Sequence, residues 1–187
     1  MTTALTTRLF LAAAAVAAWT TAAGAAQPPA VAVRSQGDGV YAVVARFSVP
    51  EPATVVQAVL TDYPNIPRFM PAVRASRVLE RADGRVRIEQ EAVSKFMMMS
   101  RTVHLVLDVE ESPGAIQFRD ACHKSFVTYD GSWTITPQGS GAELVYELTA
   151  KPAFSVPGMV LRKLLDRDSR EMIDGLRNEI TQRASGR

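Results

Sequence analysis

Six segments of alternating apolar and polar residues, followed by one long amphipathic segment, limit most strongly what this chain can fold into. The alternating segments lie near residues 72–81, 85–95, 98–110, 115–122, 126–137 and 142–151. Alternation with a period of two is typical of strands that bury one face, and turn residues at 83–84, 112–114 and 139–141 separate several of them. The pattern predicts a meander of antiparallel strands with one face against a core.

Regular structure is also predicted on both sides of the meander. Residues 40–49 are rich in β-branched and aromatic residues and predict a first strand, and residues 51–63 have the apolar spacing of a helix. Pro64 and Pro67 break that helix, so the residues around them form at most one short helical turn. Residues 158–183 repeat apolar residues along one stripe, which predicts a long amphipathic helix.

Together these elements predict the fold class. It is α+β, with a curved seven-stranded antiparallel sheet wrapped around a long C-terminal helix and two short helices after the first strand. The apolar stripe of the long helix covers the concave face of the sheet. Its members are Leu161, Leu164, Leu165, Met172, Ile173, Leu176 and Ile180.

The N-terminal residues have the pattern of an export signal. Residues 1–26 contain one charge, at Arg8, then an apolar run over 9–19 and small residues up to Ala26. This pattern predicts a secretory signal peptide that is cleaved after Ala25 or Ala26, and a retained membrane anchor is the alternative. Residues 27–39 are predicted as a linker and residues 40–184 as a single domain. The protein is therefore expected to be periplasmic or secreted.

Charge and cysteine content exclude several function classes. The net charge of +2 falls to +1 once Arg8 is removed, and the sequence shows no concentrated basic face of the kind that nucleic acid or a strongly anionic membrane requires. Cys122 is the only cysteine, so no internal disulfide forms. His104 and His123 are predicted to face outward and do not form a metal-ligand set with Cys122. We predict no metal, no cofactor and no catalytic residue.

Strand parity predicts which side chains face the core. Inward-facing Tyr and Trp residues carry polar tips, which fits a cavity that is apolar with a few hydrogen-bonding groups. The predicted ligand-binding residues are Phe69, Met70, Gln90, Phe96, Met98, Arg101, Val103, Leu105, Phe118, Asp120, Tyr129, Trp133, Tyr146, Phe154, Leu165 and Met172. Arg101 is either a polar anchor at the cavity mouth or a charge that extends from a strand end into solvent.

Three consecutive methionines, at residues 97–99, follow Phe96. Methionine is a common core filler, and its unbranched, polarisable side chain also makes an adaptable surface for a variable apolar ligand. Because successive residues of a strand point to opposite faces, the three cannot all face one core. At least one of them must be covered by a loop, a ligand or a lipid surface.

Several motifs in this order resemble the START-like superfamily, also known as SRPBCC or Bet v 1-like. They are VVQAVLTDYPNIPRFMPAVRASRVLER, LDVEE, IQFRD, YDGSWTITP and YELTAKPAFSVP, followed by the long helix. The similarity extends over about residues 49–179 and is strongest to the polyketide cyclase/dehydrase and coenzyme Q-binding START-domain branch. The resemblance implies a helix-grip fold that encloses a deep apolar cavity, and relatives that bind lipids or quinones or act as cyclases.

The sequence favours a binding protein over an enzyme. We expect an exported carrier of a hydrophobic small molecule such as a lipid, an isoprenoid or a quinone. One alternative is a cyclase or dehydrase acting on a polyketide-like molecule in the same cavity, and another is a module that docks transiently on a membrane or a partner. Convergence of Asp120, Arg101 and Tyr129 inside the cavity would favour the enzyme, and a lining of Gln90, Ser94 and apolar groups would favour the carrier.

Overall fold

A computed structural model describes residues 28–96 and 99–186. The strands are β1 (Ala30–Gly37), β2 (Val40–Val49), β3 (Val73–Ala82), β4 (Arg85–Phe96), β5 (Met99–Ser112), β6 (Ala115–Asp120), β7 (Phe126–Gln138) and β8 (Gly141–Pro152). The helices are α1 (Ala53–Leu60), α2 (Ile66–Phe69) and α3 (Gly158–Ala184), with a 3₁₀ turn at Tyr63–Asn65. The strands form one antiparallel sheet in the order β1-β2-β8-β7-β6-β5-β4-β3. The predicted signal peptide lies outside the described residues.

The predicted fold class is confirmed, but the sheet has eight strands instead of seven. The additional strand is β1, Ala30–Gly37, in a region that the sequence predicts as a linker. It pairs antiparallel with β2, and a turn with positive φ at Gly37, Asp38 and Gly39 reverses the chain between them. Alternating Ala and Val residues are sufficient for an edge strand once β2 supplies the hydrogen-bonding groups, and the flanking prolines and glycines hide this signal in the sequence.

One end of the fold is closely packed, and we call it the closed end. Here α1 and the second half of α3 pack together, and Val56, Val59, Ile173, Leu176 and Ile180 have no exposed surface. Each fully buried apolar side chain contributes about 1.5–3 kcal/mol of burial energy. This packing holds α1 against the second half of α3.

Close backbone contact and ion pairs also hold α3 in place at the closed end. A Cβ atom on Gly175 would lie 1.8 Å from the carbonyl oxygen of Phe69, so only glycine allows α2 to approach α3 this closely. Arg183 contacts Asp62 at 2.6 Å and Glu179 at 2.7 Å. These contacts fix the C-terminal half of α3 against the connection between α1 and α2.

The opposite end, which we call the open end, is built from connections. It consists of the turn at 37–39, the adjoining ends of β4 and β5, the loops 121–125 and 153–157, and the first turn of α3. The backbone N–H of Ala153 donates to the carbonyl of Ser125 at 3.0 Å. At Gly158 a Cβ atom would lie 2.4 Å from the hydroxyl oxygen of Tyr41, so α3 starts directly against β2. Within residues 28–96 and 99–186, no helix has the length and apolar character that crossing a bilayer requires.

Candidate ligand site between the sheet and the long helix

The long helix does not rest evenly on the sheet. Its backbone lies closest to β1, β2 and β4, which flank the centre of the curved sheet, and to α1 and α2. The central strands β5, β6 and β7 approach it less closely. A helix that contacts a sheet mainly through the flanking strands leaves space over the central strands. This space is filled by side chains or by another molecule.

Side chains over the centre fill this space incompletely near the open end. Along β4, the inward-facing Val86 and Ile88 are each 2% exposed. Further along the same face the side chains are only half-buried, and they face half-buried side chains of the first half of α3. We call this region the inner cleft; its described members are Gln90, Ala92, Ser94, Phe118, Tyr129, Leu165, Asp168 and Met172. Protein cores are normally close-packed, so partial access at inward positions marks room for another molecule.

Aromatic rings form the floor of the inner cleft. The ring centroid of Tyr146 lies 4.6 Å from that of Trp133 and 6.3 Å from that of Phe118, and Phe118 lies 6.0 Å from Tyr129. Gly131 is directly opposite Phe118 in the β6–β7 pair, and a Cβ atom there would lie 2.6 Å from the Phe118 ring. Because Gly131 has no side chain, the Phe118 ring can lie over β7. The result is a broad apolar surface with two phenol groups.

The two phenols of the inner cleft stay protonated at neutral pH. The pKa of Tyr129 is raised to about 12, mainly by burial and also by the charges of Asp120 and Asp168, against the lowering effect of a hydrogen bond with Tyr146. Burial also raises the pKa of Tyr146 well above its ordinary value, as do the charge of Tyr129 and their shared hydrogen bond. Both hydroxyls can therefore act as hydrogen-bond donors but are poor general bases.

This shift predicts a loss of stability at high pH. The pKa of Tyr129 is raised from 10.0 in the unfolded chain to about 12 in the fold, so its contribution is fully present below about pH 10 and is lost as the pH rises through about 12. We expect the free energy of unfolding to fall by about 2 kcal/mol over this range. Urea titrations of the protein and of Tyr129→Phe measure the effect. The variant should lose a large part of the slope, and equal slopes would contradict the assignment.

A polar bridge crosses the inner cleft from the sheet to the helix. The hydroxyl of Ser94 donates to Asp168 at 3.2 Å, and Asp168 also contacts Arg167 at 2.6 Å. The sequence prediction did not include Asp168 in the site. A signal was present, because Asp168 interrupts the apolar stripe of α3 between Leu165 and Met172 at helical spacing.

Asp120 is buried but its carboxylate is fully used by the fold. It is 1% exposed. One oxygen accepts the backbone N–H groups of Val106 at 3.1 Å and Cys122 at 3.2 Å, and the other accepts that of His123 at 3.0 Å. The carboxylate thus fixes loop 121–125 to β5. Asp120 points inward as predicted, but its carboxylate stabilises the fold and has no oxygen left for a ligand.

Arg101 lies at the mouth of the inner cleft. It is exposed, and its guanidinium carbon is 3.6 Å from the ring centroid of Phe154, so the two groups form a cation–π contact between β5 and loop 153–157. Arg101, Asp120 and Tyr129 do not share a hydrogen bond. These three residues therefore do not form the acid–base group whose convergence would favour an enzyme.

The other predicted site residues divide between the core and the cleft. Phe69, Val103 and Leu105 are at most 9% exposed and belong to the core behind the cleft, and Trp133 and Tyr146 are similarly buried in its aromatic floor. Met70 is half-buried against that core, and Gln90 donates a hydrogen bond from Nε2 to the hydroxyl of Ser76 at 3.2 Å. Met98 and the side chain of Phe96 lie outside the described residues.

The outer face of the sheet offers grooves of a different kind. One has a volume of about 570 Å³. Its lining includes Asp108, Glu110, Arg119, Asp130 and Glu147. Charged side chains in open contact with water do not suit an apolar molecule. The inner cleft is therefore the better candidate site.

Comparison with known proteins identifies the family. Residues 49–177 match the profile of the family described as polyketide cyclase / dehydrase and lipid transport. The chain belongs to this family. The matched range runs from the end of β2 through most of α3 and so includes the whole inner cleft. No curated protein matches the sequence.

Solved structures show the same helix-grip fold, that of the START and Bet v 1-like superfamily. A START superfamily protein from Mycobacterium smegmatis has a TM-score of 0.68 at 17% identity, covering 75% of this chain and 97% of its own. A STAR-related lipid transfer protein from Xanthomonas axonopodis gives 0.65 at 16%, with 81% and 99% covered. The Zhui aromatase/cyclase from Streptomyces sp. R1128 gives 0.67 at 15%, with 78% and 96% covered. The predicted helix-grip fold is confirmed, and the family match confirms the predicted polyketide cyclase/dehydrase branch.

Proposed function

We propose that the protein binds and carries an uncharged hydrophobic small molecule, such as a lipid, an isoprenoid or a quinone, in the inner cleft. The observation that carries the proposal is the partial access to inward-facing side chains beside an aromatic floor. Membership of a family that includes lipid transport supports it. A molecule that buries about 300 Å² of apolar surface gains on the order of 7 kcal/mol before association costs.

The charges around the cleft favour a neutral ligand over an anionic one. The described residues of the inner cleft include no cation. Arg167 pairs with Asp168 at 2.6 Å from an exposed position, and Arg101 lies at the mouth against Phe154. Asp120 and Asp168 both act on Tyr129 as negative charges. A carboxylate head group inside the cleft would lie beside these two carboxylates, and Arg167 is already paired with one of them, so burial of the head group is unfavourable.

Displacement of a neutral fluorescent probe tests the proposal. N-phenylnaphthylamine should bind with one molecule per protein, and its fluorescence should rise in the apolar site. Decanol and decanoate, which differ only in the head group, then compete for the probe at about pH 8. We expect decanol to displace it at about tenfold lower concentration, because decanoate must lose its charge or leave its head outside. Failure of the probe to bind, or better displacement by decanoate, would overturn the proposal.

A second candidate function is a cyclase or dehydrase for a polyketide-like substrate. The observation that favours it is the Ser94–Asp168 bridge beside Tyr129, which places a carboxylate and hydroxyl groups in the cleft. The name of the Zhui aromatase/cyclase is consistent with it. A carrier releases its guest unchanged, whereas an enzyme converts it, so mass analysis of the ligand before and after incubation separates the two.

We also propose that the protein acts outside the cytoplasm. The support is the sequence of residues 1–26, with one positive charge, an apolar run and small residues before Gln27. The mass of the protein isolated from the exported fraction of its producing cells should correspond to a chain that starts at Ala26 or Gln27. A chain that starts at Met1 and stays in the cytoplasm would contradict this.

A further inference from the structure

The open end carries a concentration of positive charge. Three segments that meet there, at residues 99–103, 121–127 and 151–165, contain no Asp or Glu, and Asp38 in the turn at 37–39 is the acidic residue on this end. Their cationic residues are Arg101, Lys124, Lys151, Arg162 and Lys163. The whole chain has 21 Lys and Arg against 19 Asp and Glu, so the excess of cations in these segments is local and is not apparent from the overall charge. All but Lys151 are exposed.

These cations lack anionic partners within the fold. Within the described part of the chain, none of the five forms an ion pair. Several arginines elsewhere are paired with carboxylates: Arg87 contacts Asp108 at 2.6 Å and Arg170 contacts Asp166 at 3.0 Å. The cations of the open end thus remain available to an anion outside the molecule.

Exposed apolar side chains lie among these cations. Met159, in the first turn of α3, is 74% exposed, and Val127, near the start of β7, is 53% exposed. A large apolar residue exposed at a helix start, next to Arg162 and Lys163, is typical of a surface that enters the interface of a membrane. Met159 and Val127 together with the five cations form what we call the docking surface.

We propose that the docking surface binds an anionic lipid bilayer, with the cations on lipid phosphates and Met159 inserted among the acyl chains. Charge complementarity carries the choice of partner, because each Lys or Arg near an anionic bilayer strengthens binding about fivefold. The role of this contact rests on the proposed function: the inner cleft opens at the same end, so a guest passes between bilayer and cleft without crossing water.

Co-sedimentation with lipid vesicles tests the docking surface. The protein as recovered from its producing cells is mixed with phosphatidylcholine vesicles and with vesicles that also contain about 30% phosphatidylglycerol. The measured quantity is the affinity for anionic vesicles divided by the affinity for phosphatidylcholine vesicles. Any contribution of the N-terminal residues that does not depend on lipid charge cancels in this ratio. We expect a strong preference for anionic vesicles that is lost at about 0.5 M salt.

Matched variants locate the contact. Arg162→Gln with Lys163→Gln should lower the ratio about 30-fold. Arg46→Gln with Arg85→Gln removes the same charge from exposed positions outside the docking surface and should change the ratio less than about threefold. Met159→Ser should weaken anionic-vesicle binding about tenfold, whereas Leu79→Ser, at an exposed apolar residue of β3, should not.

Three results would overturn this inference. They are equal affinity for both kinds of vesicle, absence of vesicle binding, and equal losses in the two charge variants. An acidic protein partner in place of a bilayer would give the second result. Binding of N-phenylnaphthylamine in solution is measured in parallel. Retained probe binding without vesicle binding refutes the docking surface alone, and retained vesicle binding without probe binding refutes the carrier function alone.

Discussion

Ala92→Trp is expected to weaken binding of N-phenylnaphthylamine about 30-fold. Ala92 is a small, half-buried residue on the inner face of β4, between Gln90 and Ser94. An indole ring there occupies the volume of the guest and removes about 2 kcal/mol of apolar contact. Because the ring enters existing space, the free energy of unfolding should change by less than about 1 kcal/mol, where overpacking of a filled core costs about 1–3 kcal/mol.

The neighbouring residue supplies the matched control for this variant. Glu91 is exposed on the outer face of the same strand, so Glu91→Trp adds the same ring outside the cleft. We expect probe affinity within about twofold of the unchanged protein. A marked loss of stability in Ala92→Trp, or unchanged probe binding, would show that the inner cleft is filled by the protein itself.

Ile173→Ala is expected to destabilise the fold by about 4 kcal/mol. Ile173 has no exposed surface and lies at the closed end, where α1 and α3 pack together. Truncation of a fully buried isoleucine loses its transfer energy and leaves a cavity that the surrounding helices cannot close, which costs about 2–5 kcal/mol. Urea unfolding followed by circular dichroism measures the change.

Met159→Ala is the control for this second variant. It truncates a long apolar side chain of the same helix, but Met159 is 74% exposed, so the change in unfolding free energy should stay below about 0.5 kcal/mol. Folded Ile173→Ala should still bind the probe with nearly normal affinity. Similar losses of stability in both variants would contradict the division of α3 into a packed half and a half that faces the cleft.

The fold could be predicted because its signals are local. Each meander strand shows its own alternation, and the residue pairs at its turns adopt the positive φ angles that glycine tolerates, as at Gly84 and Gly114. The strand Ala30–Gly37 was not predicted because its own segment carries only a weak local signal. An edge strand has only one partner and one short apolar pattern, so its existence depends on β2 and cannot be deduced from the segment alone.

The site was less predictable because it depends on contacts between distant segments. Parity placed Phe118 and Tyr129 on the inner face. Parity could not show that the carboxylate of Asp120 accepts three backbone N–H groups from two segments. Nor could it show that Asp168, 74 residues from Ser94, reaches that hydroxyl. Tertiary structure decides which inward polar groups hold the fold and which meet a ligand.

Native mass spectrometry of the protein isolated from its producing cells tests the central claim most directly. If the inner cleft holds a guest, the spectrum shows one apolar molecule per protein, and organic extraction releases that molecule and leaves the folded protein able to take up N-phenylnaphthylamine. A protein that carries nothing, and that binds no apolar probe after extraction, would contradict the account.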